Sequence, residues 1–121
     1  MVNIGHYING NLHEGKSGQS KPVFNPATGS TEKNVSLAST EEVNLAVENS
    51  KSAWKDWSNQ PPLRRARVLD KFKYILDQRR EELAKCISSE HGKTHEDALG
   101  EVTRSLEVVE FAVGAPHLLK G

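Results

Sequence analysis

Apolar residues recur at intervals of three and four along most of the chain after residue 39, which is the pattern of amphipathic α-helices. A first helix is predicted to begin at Ser39-Thr40-Glu41-Glu42, because a serine followed three residues later by a glutamate forms a reciprocal N-terminal cap. We interpret the two tryptophans of this helix as core residues, although their rings could also stack on a ligand. One side of the helix carries Val43, Ala46, Val47, Ser50, Trp54 and Trp57.

A second helix is predicted after Pro61-Pro62, since proline suits the first helical turn. The segment from Leu83 to Glu90 is also helical by its spacing, and it is either a continuation of this helix or a third one. Because Cys86 lies beside Leu83 and Ile87 on one face, we interpret it as a buried structural thiol and not as a nucleophile. The apolar side of the second helix carries Leu63, Ala66, Leu69, Phe72, Ile75 and Leu76.

The last predicted helix runs from Thr94 to about Phe111. Thr94 is its expected N-cap, with Asp97 three residues later, and Gly92 is expected to end the preceding helix in the left-handed conformation. Gly114-Ala115-Pro116 stops the helix. Its apolar stripe is Leu99, Val102, Leu106, Val109 and Val113.

The first third of the chain has the punctuation of strands and turns. Asn9-Gly10, within HYINGNLHEG, suits a type I′ hairpin turn. A second pair of extended segments is predicted on either side of the turn Asn25–Gly29. Because strands and helices do not alternate, we expect that this chain alone cannot build a parallel sheet.

These elements predict an α+β, mainly helical fold, in which short N-terminal β-hairpins precede three or four amphipathic helices. We expect one partial domain over residues 1–121, with a β-hairpin region at 1–38 and a helical region at 39–121. The helices have apolar stripes suited to cover something that the chain does not contain.

Charge and composition exclude several classes of partner. The 16 basic and 16 acidic residues balance, so nothing favours binding to nucleic acid or to an anionic membrane. The single cysteine, Cys86, rules out an internal disulfide and fits a reducing compartment. No apolar run approaches membrane-spanning length, and the start MVNIGHYING lacks the features of a leader peptide. We therefore expect a cytoplasmic protein.

The triplet Gly92-Lys93-Thr94 is also how a phosphate-binding loop ends. That motif requires a glycine five residues earlier, where this chain has Ile87, and a strand where this chain has a helix. We therefore interpret the triplet as a helix-to-helix corner at which Lys93 is solvated. His91 and His95 flank the helix break and lack further metal-ligand residues nearby, so no metal site is predicted.

Arg104 is the candidate functional residue. It lies 200° around the last helix from both Val102 and Leu106, so its side chain points away from the apolar stripe. One interpretation is a surface arginine that pairs with Glu101 or Glu107 at a spacing of three residues. The other is a guanidinium fork that binds an acidic ligand, because its planar geometry matches a carboxylate.

Five stretches, in order along the chain, carry a family resemblance: YINGN, FNPATGS, AWKDWS, PPLRRARVLDKF and the long C-terminal segment that begins EELAKCISSEHGKT. The chain resembles the N-terminal portion of the aldehyde dehydrogenase superfamily. The run ALGEVTRSLEVVEFAVGAPHLLKG is similar to the CoA-acylating methylmalonate-semialdehyde branch.

This resemblance implies an NAD-dependent oxidation of malonate and methylmalonate semialdehydes. A cysteine thioester would be passed to CoA, with loss of CO2, to give acetyl-CoA or propionyl-CoA. The family's catalytic and dinucleotide-binding residues lie C-terminal to the matched region, so Cys86 is not the catalytic cysteine. In the family, the arginine at the position of Arg104 helps to hold the substrate carboxylate.

The chain alone is therefore expected to be an inactive N-terminal fragment that binds no cofactor. Its full-length parent is expected to be a homo-oligomer, and the fragment could exchange helices between copies. The alternative is an independent helical module for self-association or for binding another protein.

Overall fold

The computed structural model describes residues 2–119, which fall into two compact units, Met1–Ser58 and Asn59–Gly121. The first unit contains the strands and one long helix, and the second unit is helical. This confirms the predicted mainly helical α+β class, with four long helices. The elements of the first unit are β1 (Val2–Ile4), β2 (His6–Ile8), β3 (Asn11–His13), β4 (Ser20–Phe24), β5 (Thr31–Ser36) and α1 (Thr40–Ser58). Those of the second are α2 (Pro62–Gln78), α3 (Arg80–His91), α4 (His95–Val113) and α5 (Ala115–Leu118).

Both predicted hairpins form. Strands β2 and β3 pair antiparallel around Asn9 and Gly10, whose φ angles of 51° and 76° are those of a type I′ turn. Strands β4 and β5 pair antiparallel around a turn in which the side chain of Asn25 accepts the N–H of Ala27. Gly29 closes this turn with a φ of 71°.

The sequence predicted no parallel sheet, and the three-stranded sheet of the described residues is mixed, with one parallel pairing that was not predicted. Strand β1 pairs parallel with β5, with Val2 opposite Lys33 and Ile4 opposite Val35, and the order of the sheet is β1-β5-β4. The pairing spans only three residues. A strand this short has too few positions to show an alternating pattern, so β1 left no signal in the sequence.

The N-terminus of α1 is held by a reciprocal cap. The N–H of Ser39 donates to Glu42 Oε2 at 2.9 Å, and the N–H of Glu42 donates to Ser39 Oγ at 3.2 Å. The N–H of Lys16 also donates to the Glu42 carboxylate, at 2.9 Å. These bonds satisfy a buried carboxylate and attach the loop after β3 to the start of the helix. The predicted capping box is confirmed.

The core of the second unit lies where α4 packs on α3. Ala84 of α3 and Ala98 of α4 are fully buried, and Val102 is 3% exposed. Small side chains at a helix crossing let the two backbones approach closely. Leu83, Ile87, Leu99 and Leu106 surround this cluster. Helices α2 and α3 are separate, because the chain leaves helical geometry at Arg79.

Several positions that we interpreted as core are exposed. Trp54 is 62% exposed and Trp57 is 39% exposed, so the predicted burial of the tryptophans is wrong for this chain. The thiol of Cys86 is exposed as well, contrary to prediction. On α2, Leu63 and Phe72 are also exposed. Periodicity identified the apolar faces of α1 and α2, but the exposed positions on these two faces have no covering layer within their own units. Within residues 2–119, none of the helices has the length and apolar character needed to cross a membrane.

Candidate functional site

The Gly92-Lys93-Thr94 triplet joins α3 to α4 as a helix corner. Gly92 has a φ of 84°, and its N–H donates to the carbonyl of Ser88 at 2.9 Å. Thr94 caps α4, since its hydroxyl accepts the N–H of Asp97 at 3.2 Å. The predicted corner is confirmed. Its glycine and its cap make hydrogen bonds within the helix ends, so the triplet does not form a phosphate-binding cradle.

Lys93 is not solvated, contrary to expectation. Its side chain is only 19% exposed, and its ammonium forms an ion pair with the Glu101 carboxylate, two turns into α4. The hydrogen bond from Lys93 lowers the pKa of Glu101 below its usual value. Partial burial opposes this effect, while Arg104 and His91 act in the same direction as Lys93. The ion pair with Lys93 therefore favours the ionised form of Glu101.

Arg104 projects from the exposed side of α4, away from the buried Val102. Its guanidinium reaches back over Gly100, one turn earlier, where a Cβ atom would lie 3.7 Å from Nη1. This direction is the usual one for a long side chain on a helix. Within residues 2–119, neither Glu101 nor Glu107 forms an ion pair with Arg104 at contact distance. The fork of Arg104 therefore faces outward with its donors available.

The other sequence candidates do not assemble into a catalytic group. Cys86 lines an open groove of about 280 Å³ together with Phe72, Ile75, Leu76, Arg79, Glu82 and Leu83. His95 pairs with Glu81 at 2.9 Å, and His91 ends α3. In the described part of the chain, no three histidine, cysteine, aspartate or glutamate side chains lie close enough to hold a metal ion.

An apolar groove of about 730 Å³ lies within the first unit. The outward face of α1 forms one wall, with Val43, Val47 and Trp54, and strand β2 contributes Tyr7 and Ile8. The only carboxylate among the lining residues is Glu42, which is occupied by the helix cap. An open groove with this lining suits an apolar protein surface better than a polar small molecule.

Sequence reasoning identified Arg104 but missed its neighbourhood. One of its two interpretations paired Arg104 with Glu101 or Glu107, and it placed Lys93 in solvent. In the structure, Lys93 and Glu101 form an ion pair with each other. Eight positions separate them in the sequence, and the start of α4 lies between them. Helical periodicity relates residues only within one helix, so it carried no signal for a lysine that precedes the N-cap.

Comparison with known proteins relates the chain to one family. The sequence model of the aldehyde dehydrogenase family matches residues 13–121. Malonate-semialdehyde dehydrogenase from Pseudomonas aeruginosa is 44% identical over 121 residues, which is 100% of this chain and 24% of that protein. Malonate-semialdehyde dehydrogenase 2 from Oceanobacillus iheyensis is also 44% identical, over 100% of this chain and 25% of that protein.

Solved structures give the same result. Methylmalonate-semialdehyde dehydrogenase from Oceanimonas doudoroffii matches with a TM-score of 0.96 and 49% identity, over 100% of this chain and 25% of that one. A protein from Sinorhizobium meliloti, provisionally described as methylmalonate-semialdehyde dehydrogenase and solved with NAD, matches with a TM-score of 0.94 and 47% identity. That match covers 98% of this chain and 24% of the other. The chain thus spans about a quarter of these relatives, in their N-terminal part.

Proposed function

The chain belongs to the aldehyde dehydrogenase family, and on this premise we propose that it is the N-terminal part of a CoA-acylating methylmalonate- or malonate-semialdehyde dehydrogenase. The whole enzyme would convert a semialdehyde, CoA and NAD to propionyl-CoA or acetyl-CoA, CO2 and NADH. The identity to semialdehyde dehydrogenases over the full length of this chain supports the substrate class. The NAD in the Sinorhizobium meliloti structure supports the choice of oxidant.

The observation that carries this proposal is the outward guanidinium of Arg104, which has no ion-pair partner among residues 2–119. Both proposed substrates have a carboxylate at the end opposite the aldehyde, and a planar fork of N–H donors matches a carboxylate in two parallel hydrogen bonds. A charged donor without a protein partner is suited to a ligand, because no existing ion pair has to be broken when the ligand binds. We propose that Arg104 holds and orients the substrate carboxylate.

We assign cofactor binding and the catalytic steps to residues that lie outside this chain. NAD supplies hydride acceptance and CoA supplies the acyl-accepting thiol when they are bound. The corner at Gly92 and Thr94 does not fit a dinucleotide phosphate, because its hydrogen bonds are used within the helices. Cys86 lies mid-helix in an apolar groove and is not proposed as the nucleophile. The chain alone is thus proposed to be inactive.

The exposed apolar faces favour a second candidate function, which is association with another polypeptide surface. The α1 face around Trp54 and the α2 face around Phe72 each carry several exposed large apolar side chains. In the whole enzyme these faces would pack against the remaining three quarters of the fold. In the isolated chain they would drive self-association. A homo-oligomeric parent and a cytoplasmic location belong to the same proposal.

The test is a chimera in which residues 1–121 replace the matching quarter of the Oceanimonas doudoroffii enzyme. We expect NADH formation that requires both the semialdehyde and CoA. The matched comparison is the same chimera assayed with propionaldehyde, which has no carboxylate. A chimera that folds but shows no preference for the carboxylate-bearing aldehyde, although the Oceanimonas doudoroffii enzyme does, would contradict the proposal.

A further inference from the structure

We propose that Lys93 is a positioning residue that keeps the Arg104 guanidinium available to the substrate by binding Glu101. This inference rests on the proposed role of Arg104. Glu101 precedes Arg104 by three residues on α4, so the two side chains leave the helix on neighbouring positions of one face. Without Lys93, the Glu101 carboxylate would compete directly with the substrate carboxylate for the guanidinium of Arg104.

Two ion pairs in the same unit show that this competition is realistic. Asp77 pairs with Arg80 at 3.7 Å, with the acid three residues before the arginine, as Glu101 is before Arg104. Arg79 pairs with Glu82 at 2.6 Å at the same spacing in the opposite order. Both pairs lie at the junction of α2 and α3, and they show that an acid and an arginine three residues apart can pair in this unit, although among the described residues Arg104 and Glu107 at the same spacing do not. For Glu101, the structure contains a specific cause that directs its carboxylate away from Arg104.

The cause is the position of Lys93 at the corner. The left-handed Gly92 precedes it and the Thr94 cap follows it, so the backbone of Lys93 is fixed at both sides. Its side chain is 19% exposed and lies against α4, where it reaches the Glu101 carboxylate. A partly buried lysine has few other conformations, so holding this ion pair costs little further side-chain entropy.

Charge balance supports the same assignment. The pair of Lys93 and Glu101 is neutral together, which leaves the charge of Arg104 uncompensated by a contacting group. Glu101 still lies close enough to feel that charge, since Arg104 contributes to its lowered pKa. The carboxylate is thus near Arg104, while its Oε1 accepts a hydrogen bond from the Lys93 ammonium. After the loss of Lys93, a rotation of the Glu101 side chain alone would bring its carboxylate into an ion pair with Arg104.

The activity test uses the chimera described above. Lys93→Met should raise KM for malonate semialdehyde about two- to fivefold, as expected for competition from one exposed ion pair. Neither kcat nor the KM for propionaldehyde should change appreciably. Adding Glu101→Gln to Lys93→Met removes the competitor and should bring KM back to within about twofold of the starting value. Lys73→Met, which removes a different inter-helix ion pair with Glu110, is the matched control and should not change the ratio of the two KM values.

Rescue distinguishes positioning from a merely structural role. If Lys93→Met acted by destabilising the corner, removal of a second charged group at Glu101 would not restore substrate binding. A double variant that remains as impaired as Lys93→Met would overturn the proposal, as would an unchanged KM in Lys93→Met. Circular dichroism of each variant confirms that the fold is retained.

A second measurement is independent of activity. In the isolated chain, NMR titration gives the pKa of the Glu101 carboxyl with and without Arg104→Ala. This substitution should raise that pKa more in the Lys93→Met background than in the unaltered chain, because only there does Arg104 contact Glu101. Equal effects in both backgrounds overturn the proposal. The two proposals can also fail separately. If the pKa effect depends on Lys93 as expected, but Arg104→Ala impairs malonate semialdehyde and propionaldehyde equally, then Arg104 does not bind the substrate carboxylate. In that case Lys93 still keeps Glu101 from pairing with Arg104.

Discussion

Lys93 forms an ion pair with Glu101, the carboxylate that helical spacing places beside Arg104. The pair connects the corner between α3 and α4 to the exposed side of α4. It leaves Arg104 outward and without a contacting carboxylate among residues 2–119, although acidic residues precede and follow it on the same helix. Under the proposed function, the availability of Arg104 to a ligand depends on which charges of this helix are already paired.

Arg104→Ala should selectively impair substrates that carry a carboxylate. Loss of a charge-assisted hydrogen bond costs about 1.5–3 kcal/mol, which corresponds to about 10- to 100-fold in kcat/KM. Steady-state kinetics of the chimera with malonate semialdehyde, methylmalonate semialdehyde and propionaldehyde provide the measurement. Propionaldehyde should be nearly unaffected.

Arg104→Lys is the informative companion variant. It keeps the charge but replaces the planar fork with a point charge, so it should recover only part of the loss. Thermal stability should barely move in either variant, because an exposed arginine without a partner contributes little to folding. An equal loss for charged and uncharged aldehydes would assign Arg104 to the helix surface alone.

The isolated chain should not form NADH from malonate semialdehyde, NAD and CoA. The proposed nucleophile, base and dinucleotide site belong to the remaining three quarters of the relatives. The assay is absorbance of NADH at high protein concentration, with a heat-killed sample as background. Turnover above that background would show that this quarter of the fold contains a complete catalytic site.

The isolated chain should self-associate through its apolar helix faces. Val43, Val47 and Trp54 are each about half exposed or more, and they share one face of α1. Exchange of helices between copies is one way to cover such a face. Light scattering over a range of concentrations should show a mass above 13.4 kDa.

Trp54→Arg should weaken that association, because it places a charge in the apolar face. Ser52→Arg introduces the same charge on the opposite side of α1 and should leave the mass distribution unchanged. A monodisperse monomer at high concentration would contradict the expectation for the unaltered chain.

The first unit should lose stability on acidification. The N–H of Ser39 and then that of Lys16 donate to Glu42, and both bonds lower the pKa of its carboxyl below the ordinary 4.5. A carboxyl whose pKa is depressed on folding stabilises the native state above its unfolded pKa, and this contribution disappears as pH falls through the folded pKa. Urea unfolding between about pH 6 and pH 3 should therefore show a falling midpoint.

Glu42→Gln is the control for this effect, since an amide accepts hydrogen bonds but does not titrate. The variant should be less stable near neutral pH and should lose less of its stability below the ordinary pKa of glutamate. A midpoint whose pH dependence matches that of the unaltered chain would mean that other carboxyls, such as Glu101, dominate the acid response.

Local signals in the sequence were sufficient for the boundaries of most elements. Each turn or cap that was predicted correctly depends on contacts within four residues of the chain. These are the Asn9-Gly10 turn, the Ser39 and Glu42 cap, the helix end at Gly92 and the helix start at Thr94. Long-range relationships were not predictable in this way. The pairing of β1 with β5 and the contact of Lys93 with Glu101 join positions that no helical or strand period relates.

Burial was predicted only in part, for a separate physical reason. The stripe of α4 is buried at Val102 because α3 lies against it, whereas the equivalent stripe of α1 is exposed at Trp54. Amphipathic spacing shows which face of a helix avoids water, but it does not show whether a neighbour is present in the same unit. The apolar faces that remain uncovered are the ones for which we propose a polypeptide partner.

The parallel register of β1 on β5 also fixes an order of events during synthesis. Val2 leaves the ribosome about thirty residues before its partner Lys33, which belongs to the second strand of the β4–β5 hairpin. Hairpins close within microseconds once both strands are present, while translation adds only about 5–20 residues each second. Strand β1 is therefore without its sheet partner for a period on the order of seconds during synthesis, until the central strand β5 has been made.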